Sequence, residues 1–206
     1  MQLRFQTGLT SEEYVSRQAW REATLERCPL HPTGGCGLAR HGTYERADPP
    51  GVRIARWYCR EGHCTFSLLP DCLSARLPGA LAAAETAVLV VEQAPSLEAA
   101  ADRLRPDIEL PGAIRWARRR VQRVHAALHV LRGLEPERFA GWPATVNAWR
   151  AGLGVEPVLP TLRDVAADVL HELPAPVGFS DRHPRGGESH FERQHSMGPD
   201  PPEPAR

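Results

Sequence analysis

Cysteine and histidine residues are concentrated in one stretch of the chain, with a spacing that is typical of a metal site. The order along the chain is Cys28-x2-His31-x4-Cys36, then 22 intervening residues, then Cys59-x3-His63-Cys64. Thiolate and imidazole groups are the usual ligands of tetrahedral zinc, and two ligand groups separated by a hairpin of this length are typical of a structural zinc ribbon. The sequence therefore predicts a zinc ion held between two turns.

More donors are present than a tetrahedral ion can bind. The preferred four ligands are Cys28, Cys36, Cys59 and His63. His31 is the first replacement, and only one of the adjacent residues His63 and Cys64 is expected to bind. Gly37 can adopt the positive φ with which such turns point backbone N–H groups at thiolates. The alternative interpretation is that these cysteines are buried free thiols, which is also the interpretation we prefer for Cys72.

Short strands are needed to position these donors. Residues 41–46 and 52–59 are rich in β-branched and aromatic side chains and predict a hairpin around a turn at 47–51, and residues 65–69 predict a third strand. An antiparallel sheet of this size cannot bury a core of its own, so we expect zinc to stabilise it. The segment 11–27 before it predicts a helix.

The chain after Pro70 becomes helical in composition. The predicted helices span 77–94, 96–104 with Ser96 as N-cap, 111 to about 131 with Gly133 after its end, 142–153 and 160–172. The fold class is therefore α+β and mostly α, with a small zinc-ribbon sheet followed by a helical bundle. The predicted segments are an N-terminal helical segment (1–27), the zinc ribbon (28–70), a helix-turn-helix-like domain (71–135), C-terminal helices (136–173) and a disordered tail (174–206).

The helix predicted from residue 111 has one apolar face and one cationic face. The apolar stripe contains Ile114, Ala117, Val121, Val124, Leu128 and Leu131. The polar residues away from it are Arg115, Arg118, Arg119, Gln122 and Arg123. A short helix, a connector and a longer basic helix form the arrangement of a helix-turn-helix, whose second helix enters the DNA major groove. The opposing interpretation is a solvated helix face, and the connector at residues 105–113 is longer than a standard turn.

Taken together, these segments resemble a known arrangement. CPLHPTGGCG, HGTYER, RIARWYC and CTFSLLPD, followed by SLEAAADRL and the arginine-rich helix, resemble the zinc-ribbon and helix-turn-helix segment in the N-terminal part of bacterial insertion-sequence transposases and related small proteins. The resemblance covers about residues 28–132. It implies recognition of DNA sequence by residues 112–123, and it implies that Cys28, Cys36, Cys59 and His63 bind zinc.

The charge composition and the absence of catalytic motifs exclude some classes of function. The 25 basic residues, all arginine, balance 25 acidic ones, so only a local cluster could attract nucleic acid. Catalytic motifs and the acidic strand ends of a transposase catalytic domain do not appear after residue 135, so we expect a non-enzymatic DNA-binding protein or regulator. Its partners would be DNA and a transposase or another protein, and its location the cytoplasm, without a membrane segment. The alternative is a protein-binding scaffold that uses the helix at 77–94 and the C-terminal helices.

Overall fold

The computed structural model describes residues 1–180 and contains a four-stranded sheet packed beside a larger set of helices. The strand order is β1-β4-β3-β2. The strands are β1 (Gln2–Phe5), β2 (Ala39–Glu45), β3 (Arg53–Cys59) and β4 (Cys64–Pro70). This arrangement confirms the predicted α+β, mostly α fold class. Most of the predicted tail, residues 181–206, lies outside the described residues.

The three predicted strands form the antiparallel part of the sheet. β2 pairs with β3, β3 pairs with β4, and the 47–51 turn joins the first two as predicted. The sequence does not predict the first strand, β1, which pairs in parallel with β4, with Gln2 opposite Ser67. A four-residue strand whose partner lies more than 60 residues away leaves no local pattern in the sequence. The sheet is consequently larger than the ribbon alone.

The N-terminal helix is much shorter than the predicted 11–27. α1 covers Ser11–Ser16, and a 3₁₀ helix follows at Ala19–Arg21. Thr10 caps α1 in a reciprocal capping box with Glu13. Gln18 adopts a left-handed conformation with φ of 51° and ends the helix. This break lets side chains of both short helices pack on the sheet in one apolar cluster, whose buried members include Tyr14, Trp20, Ile54 and Leu69.

The five predicted helices occur in the predicted order, but two of them start about four residues later than predicted, the last ends at Val165 instead of 172, and a short unpredicted helix at Pro136–Phe139 is added. They are α2 (Leu81–Gln93), α3 (Leu97–Leu104), α4 (Leu110–Leu134), α5 (Pro136–Phe139), α6 (Val146–Leu153) and α7 (Val158–Val165), followed by a 3₁₀ helix at Ala167–Val169. Ser96 caps α3 as predicted, since its hydroxyl accepts the Ala99 N–H at 3.1 Å. The predicted end at Gly133 is wrong because α4 continues to Leu134 and stops before Pro136.

Helix α2 lies at the centre of the main core and positions two C-terminal helices. The core includes Leu81, Val88, Val124, Leu128, Leu131, Trp149, Leu159 and Leu162. The buried carboxylate of Glu85 accepts the backbone N–H groups of Val158 and Leu159 at the start of α7, at 2.9 and 2.7 Å. Its carboxylate thereby satisfies N–H groups that have no partner within α7 itself.

Glu92 has the same role two turns later on α2. Its carboxylate accepts the N–H groups of Val146 and Asn147 at the start of α6, at 2.8 and 2.9 Å, and faces His125 Nε2 at 2.7 Å. Burial alone would raise the pKa of Glu92, but the hydrogen bonds from His125 and from the backbone N–H groups lower it below 4.5. Both glutamates therefore join separate helices through charge-assisted hydrogen bonds.

Arg163 joins the helices to the sheet. Its fully buried guanidinium donates to the carbonyls of Pro70 and Asp71 at 3.1 Å and to those of Pro176 and Val177 at 3.1 and 2.9 Å. Burial lowers the pKa of Arg163 to about 10, so it remains charged at neutral pH. The prediction that disorder begins at residue 174 is wrong, since residues 174–180 are largely buried and supply two of these carbonyls.

Candidate metal centre and arginine face

Three cysteines and one histidine meet at the end of the sheet. The donor atoms of Cys28, His31, Cys36 and Cys59 all lie within 4.8 Å of one another, and the three cysteines are buried. The Nδ1 atom of His31 is 3.6 Å from Cys28 Sγ and 3.4 Å from Cys59 Sγ. Zn–S and Zn–N bonds in a tetrahedron place a sulfur and a nitrogen ligand about 3.5 Å apart, so this arrangement fits a zinc ion.

The local backbone is shaped to support the four donors. Cys28 to Cys36 forms one loop, while Cys59 ends β3. The N–H of Gly62 donates to Cys59 Sγ at 3.2 Å. A Cβ atom on Gly62 would lie 2.8 Å from Leu30 Cδ1 and 3.3 Å from Cys59 Sγ, so a larger residue there would require the Leu30 side chain to move and would crowd the sulfur. Gly37 adopts a φ of +63° directly after Cys36, as predicted.

The electrostatics of the cluster favour a cation. Burial opposes ionisation of Cys28, but the His31 ring and nearby backbone N–H groups outweigh it and lower its pKa to about 7. Burial and the neighbouring sulfurs of Cys59 and Cys28 raise the pKa of Cys36 to about 11. Three thiols this close cannot all ionise without a compensating positive charge. A divalent cation supplies that charge. On the other side of the ring, His31 Nε2 lies 3.6 Å from the exposed Glu61 Oε2, which is beyond hydrogen-bonding distance.

The predicted fourth ligand, His63, does not belong to this group. Its Nδ1 atom lies 3.3 Å from the Tyr58 hydroxyl instead, and its backbone has a left-handed φ of 45°. His31 takes the fourth position, because the short loop after Cys28 folds back on itself in an isolated bridge between Cys28 and His31. Cys64 is partly buried and its thiol faces the Thr65 carbonyl at 3.9 Å, while Cys72 lies outside the cluster.

The predicted DNA-contacting residues lie on one exposed face of α4, called here the α4 arginine face. Its members are Arg115, Arg118, Arg119, Gln122 and Arg123, of which only Arg123 is partly buried. Within residues 1–180 their guanidinium groups form no hydrogen bond or ion pair. The opposite side of the helix packs through Ala117, Val124 and Leu128, which are buried as the stripe predicted. Most side chains of this face are therefore exposed to solvent, and their guanidinium groups have no partner among residues 1–180.

Helices α3 and α4 pack closely through small side chains. Ala101 of α3 and Ala113 and Ala117 of α4 are buried against each other. The intervening connector, residues 105–109, is held on α4 because the Arg105 guanidinium stacks against the Trp116 ring. The two helices are consecutive, and the connector between them is longer than the three- to four-residue turn of a helix-turn-helix.

Two of the ribbon arginines are occupied by structural contacts. The Arg40 guanidinium donates to the carbonyls of Trp20, Arg21 and Ala23, and that of Arg46 donates to the carbonyls of Ser74 and Leu77. These two guanidinium groups are therefore not available to a ligand, in contrast to those of the α4 arginine face.

Sequence reasoning missed Gly62 as a support of the metal cluster. The short spacing from Cys59 to Gly62 was the available signal, since a glycine two or three residues after a cysteine often shapes such a turn.

Among residues 1–180, no helix combines the length and apolar composition needed to cross a bilayer. Comparisons with protein-family models, curated proteins and solved structures returned no match.

Proposed function

We propose that the chain is a zinc-stabilised, non-enzymatic DNA-binding protein that contacts a duplex through the α4 arginine face. The observation that carries the proposal is a row of exposed arginines without internal partners in residues 1–180, on a helix whose other face is anchored in the core. Unpaired guanidinium groups on a rigid helix can bind phosphates or the O6 and N7 atoms of guanine. The resemblance to transposase N-terminal segments supports the same function, with the ends of a mobile element as the first DNA to test and a transposase as the first protein partner to test.

The zinc in this proposal is structural. The cluster offers four protein donors, three cysteines and one histidine, and a tetrahedral ion with four protein ligands has no open position for an activated water. The ion would fix the loop at 28–36 to the end of β3. Its contribution is therefore to the folding of the ribbon, and DNA contact is assigned to α4.

The scaffold alternative has less support. It depends on the helix at 77–94 and the C-terminal helices offering apolar surface to a partner protein. In the structure, Leu81, Val88 and Leu89 of α2 are buried against Trp149 of α6 and Leu162 of α7. These helices cover one another, so the surface required by the scaffold is already used within the chain.

The decisive experiment compares two triple charge reversals in the zinc-loaded protein. Arg115→Glu, Arg119→Glu and Arg123→Glu should abolish duplex binding, measured by fluorescence anisotropy across a salt series. The matched control reverses Arg17, Arg21 and Arg53, which are exposed on other elements. Each single reversal on α4 should remove one phosphate contact. The slope of log K against log salt should then become less steep by about 0.9 per contact.

Both triple variants should retain zinc and the parent melting temperature, because none of the six side chains is in a buried core. Equal DNA binding by the parent and the α4 variant would refute the proposal. Equal weakening in both variants would show that only overall charge matters, which would also refute a specific role for this face.

A further inference from the structure

A groove with two arginines and a tryptophan lies beside the arginine face, on the side of α4 that bears Trp116. It has a volume of about 340 Å³ and is bounded by the hairpin turn at Asp48, by α2, by the end of α3 and by α4. The Trp116 ring and the Arg105 and Arg120 guanidinium groups line it together. This volume is in the range of small-molecule sites.

The two guanidinium groups converge on one ring. Arg120 Cζ lies 3.7 Å and Arg105 Cζ 5.3 Å from the centroid of Trp116. Arg105 is also paired with Asp107 through two hydrogen bonds of 2.8 Å. The stacking fixes both cations in place before any ligand arrives, which reduces the entropy cost of binding.

Within residues 1–180, Arg120 is the member of this pair without a protein acceptor. It is half-buried, and its guanidinium forms no hydrogen bond to another residue of the described chain. Burial lowers the pKa of Arg120, and the positive charges of Arg105 and Arg119 lower it further, while Asp48 opposes them. A guanidinium carries five N–H donors, and those of Arg120 are not sealed from solvent, so they are open to an anionic ligand.

We propose that this groove binds a small anion, a carboxylate or phosphate attached to an apolar body. The anionic head would accept hydrogen bonds from Arg120 and Arg105. The apolar body would lie against the small side chains of α2, Ala83 and Ala87, and against Leu104 at the end of α3. Asp48 faces the same groove and disfavours a second negative charge on the ligand, so a carboxylate, with one charge, should bind more tightly than a phosphate monoester, which carries close to two at pH 7.

The test titrates the zinc-loaded full-length protein with phenyl phosphate and with benzoate, using phenol as the uncharged control. Calorimetry should show saturable binding of an anionic probe and none of phenol. Arg120→Gln should weaken the binding by about tenfold or more, since it removes a charged hydrogen-bonding partner. The matched control is Arg103→Gln, an exposed arginine on α3 that neither lines the groove nor belongs to the α4 arginine face, and it should leave the affinity within about twofold. Asp48→Asn should tighten it.

Benzoate should bind more tightly than phenyl phosphate, and circular dichroism with zinc content verifies that each variant is folded. Absence of saturable binding by both anions, or an equal loss of affinity in the Arg103 and Arg120 variants, would overturn the proposal. The proposal would also be overturned if duplex DNA displaced the small anion and if Arg120→Gln abolished DNA binding. The anion recognised by the groove would then be the DNA backbone. The proposed DNA contact on the α4 arginine face is tested by different residues, so the two proposals can fail separately.

Discussion

Replacing His31 is the sharpest test of the candidate metal centre, because the sequence favours His63 and the geometry favours His31. We expect His31→Ala to weaken zinc binding strongly. Apparent zinc-binding free energies of small structural sites are about 10–16 kcal/mol. One ligand of four carries roughly a quarter of that, or about 2.5–4 kcal/mol, which corresponds to an affinity decrease on the order of 10²–10³-fold. We assign His31 the share of a full ligand because its Nδ1 atom lies 3.4 Å from Cys59 Sγ and 3.6 Å from Cys28 Sγ.

The matched control is His63→Ala, which removes an exposed imidazole next to Tyr58 and should leave zinc affinity within about threefold. Competition with a chromophoric chelator measures both affinities. Substitution by cobalt adds a second readout, because removal of the nitrogen ligand changes the absorption bands of the ion. A large decrease in affinity in His63→Ala with little change in His31→Ala would refute the assignment.

Three further outcomes follow from the buried polar contacts and the cysteines. Glu85→Ala should lower the free energy of unfolding by about 2–4 kcal/mol in urea, since it leaves two N–H groups at the start of α7 without an acceptor, whereas Gln93→Ala on the exposed side of α2 should change it by less than about 0.5 kcal/mol. The folded-state pKa of Glu92 lies below its ordinary value of 4.5, so its stabilising contribution is complete above pH 4.5 and disappears as the pH falls through the lower folded-state value. Urea midpoints measured against pH should therefore fall less steeply below pH 4.5 for Glu92→Gln than for the parent. Cys72→Ser should keep one zinc per chain by metal analysis, because Cys72 lies outside the cluster.

Elements with strong local signals could be predicted from the sequence. The alternating and aromatic pattern of 52–59 defines β3, and Ser96 marks the start of α3 because its hydroxyl competes well for an N–H of the first turn. The apolar stripe of α4 also follows from its period, and with it the exposed position of the arginine face. In each case neighbouring residues along the chain carry the information.

Features that depend on distant contacts could not be predicted. β1 forms because its backbone pairs with the edge of β4. Residues 174–180 are held in place because the carbonyl groups of Pro176 and Val177 accept hydrogen bonds from the Arg163 guanidinium. The preferred fourth ligand, His63, lies outside the donor cluster for a similar reason, and the first replacement, His31, lies inside it. The position of His31 is set by how the loop after Cys28 folds against the end of β3, which the spacing of the donors does not show.

The sequence suggests that the whole ribbon depends on zinc, but the structure divides the sheet into two parts with different supports. The end near the metal is held by a small cluster of Cys28, Cys36, Cys59 and Phe66. The other end packs in a separate cluster that includes Tyr14 and Ile54. This second cluster, together with the contacts of Arg163, does not require the ion.

Chelation of zinc should therefore loosen the loops near 28–38 and 60–63 and leave most of the sheet and the helices folded. Without the ion the cluster lacks the cation that allows its three thiols to ionise together, while the carbonyl contacts of Arg163 on Pro70 and Asp71 remain. Hydrogen exchange followed by mass spectrometry should show increased exchange in peptides containing those loops, with little change in peptides from α2 and α4. Global exchange after chelation would instead show that the ion supports the entire chain, as expected of a ribbon that cannot bury a core of its own.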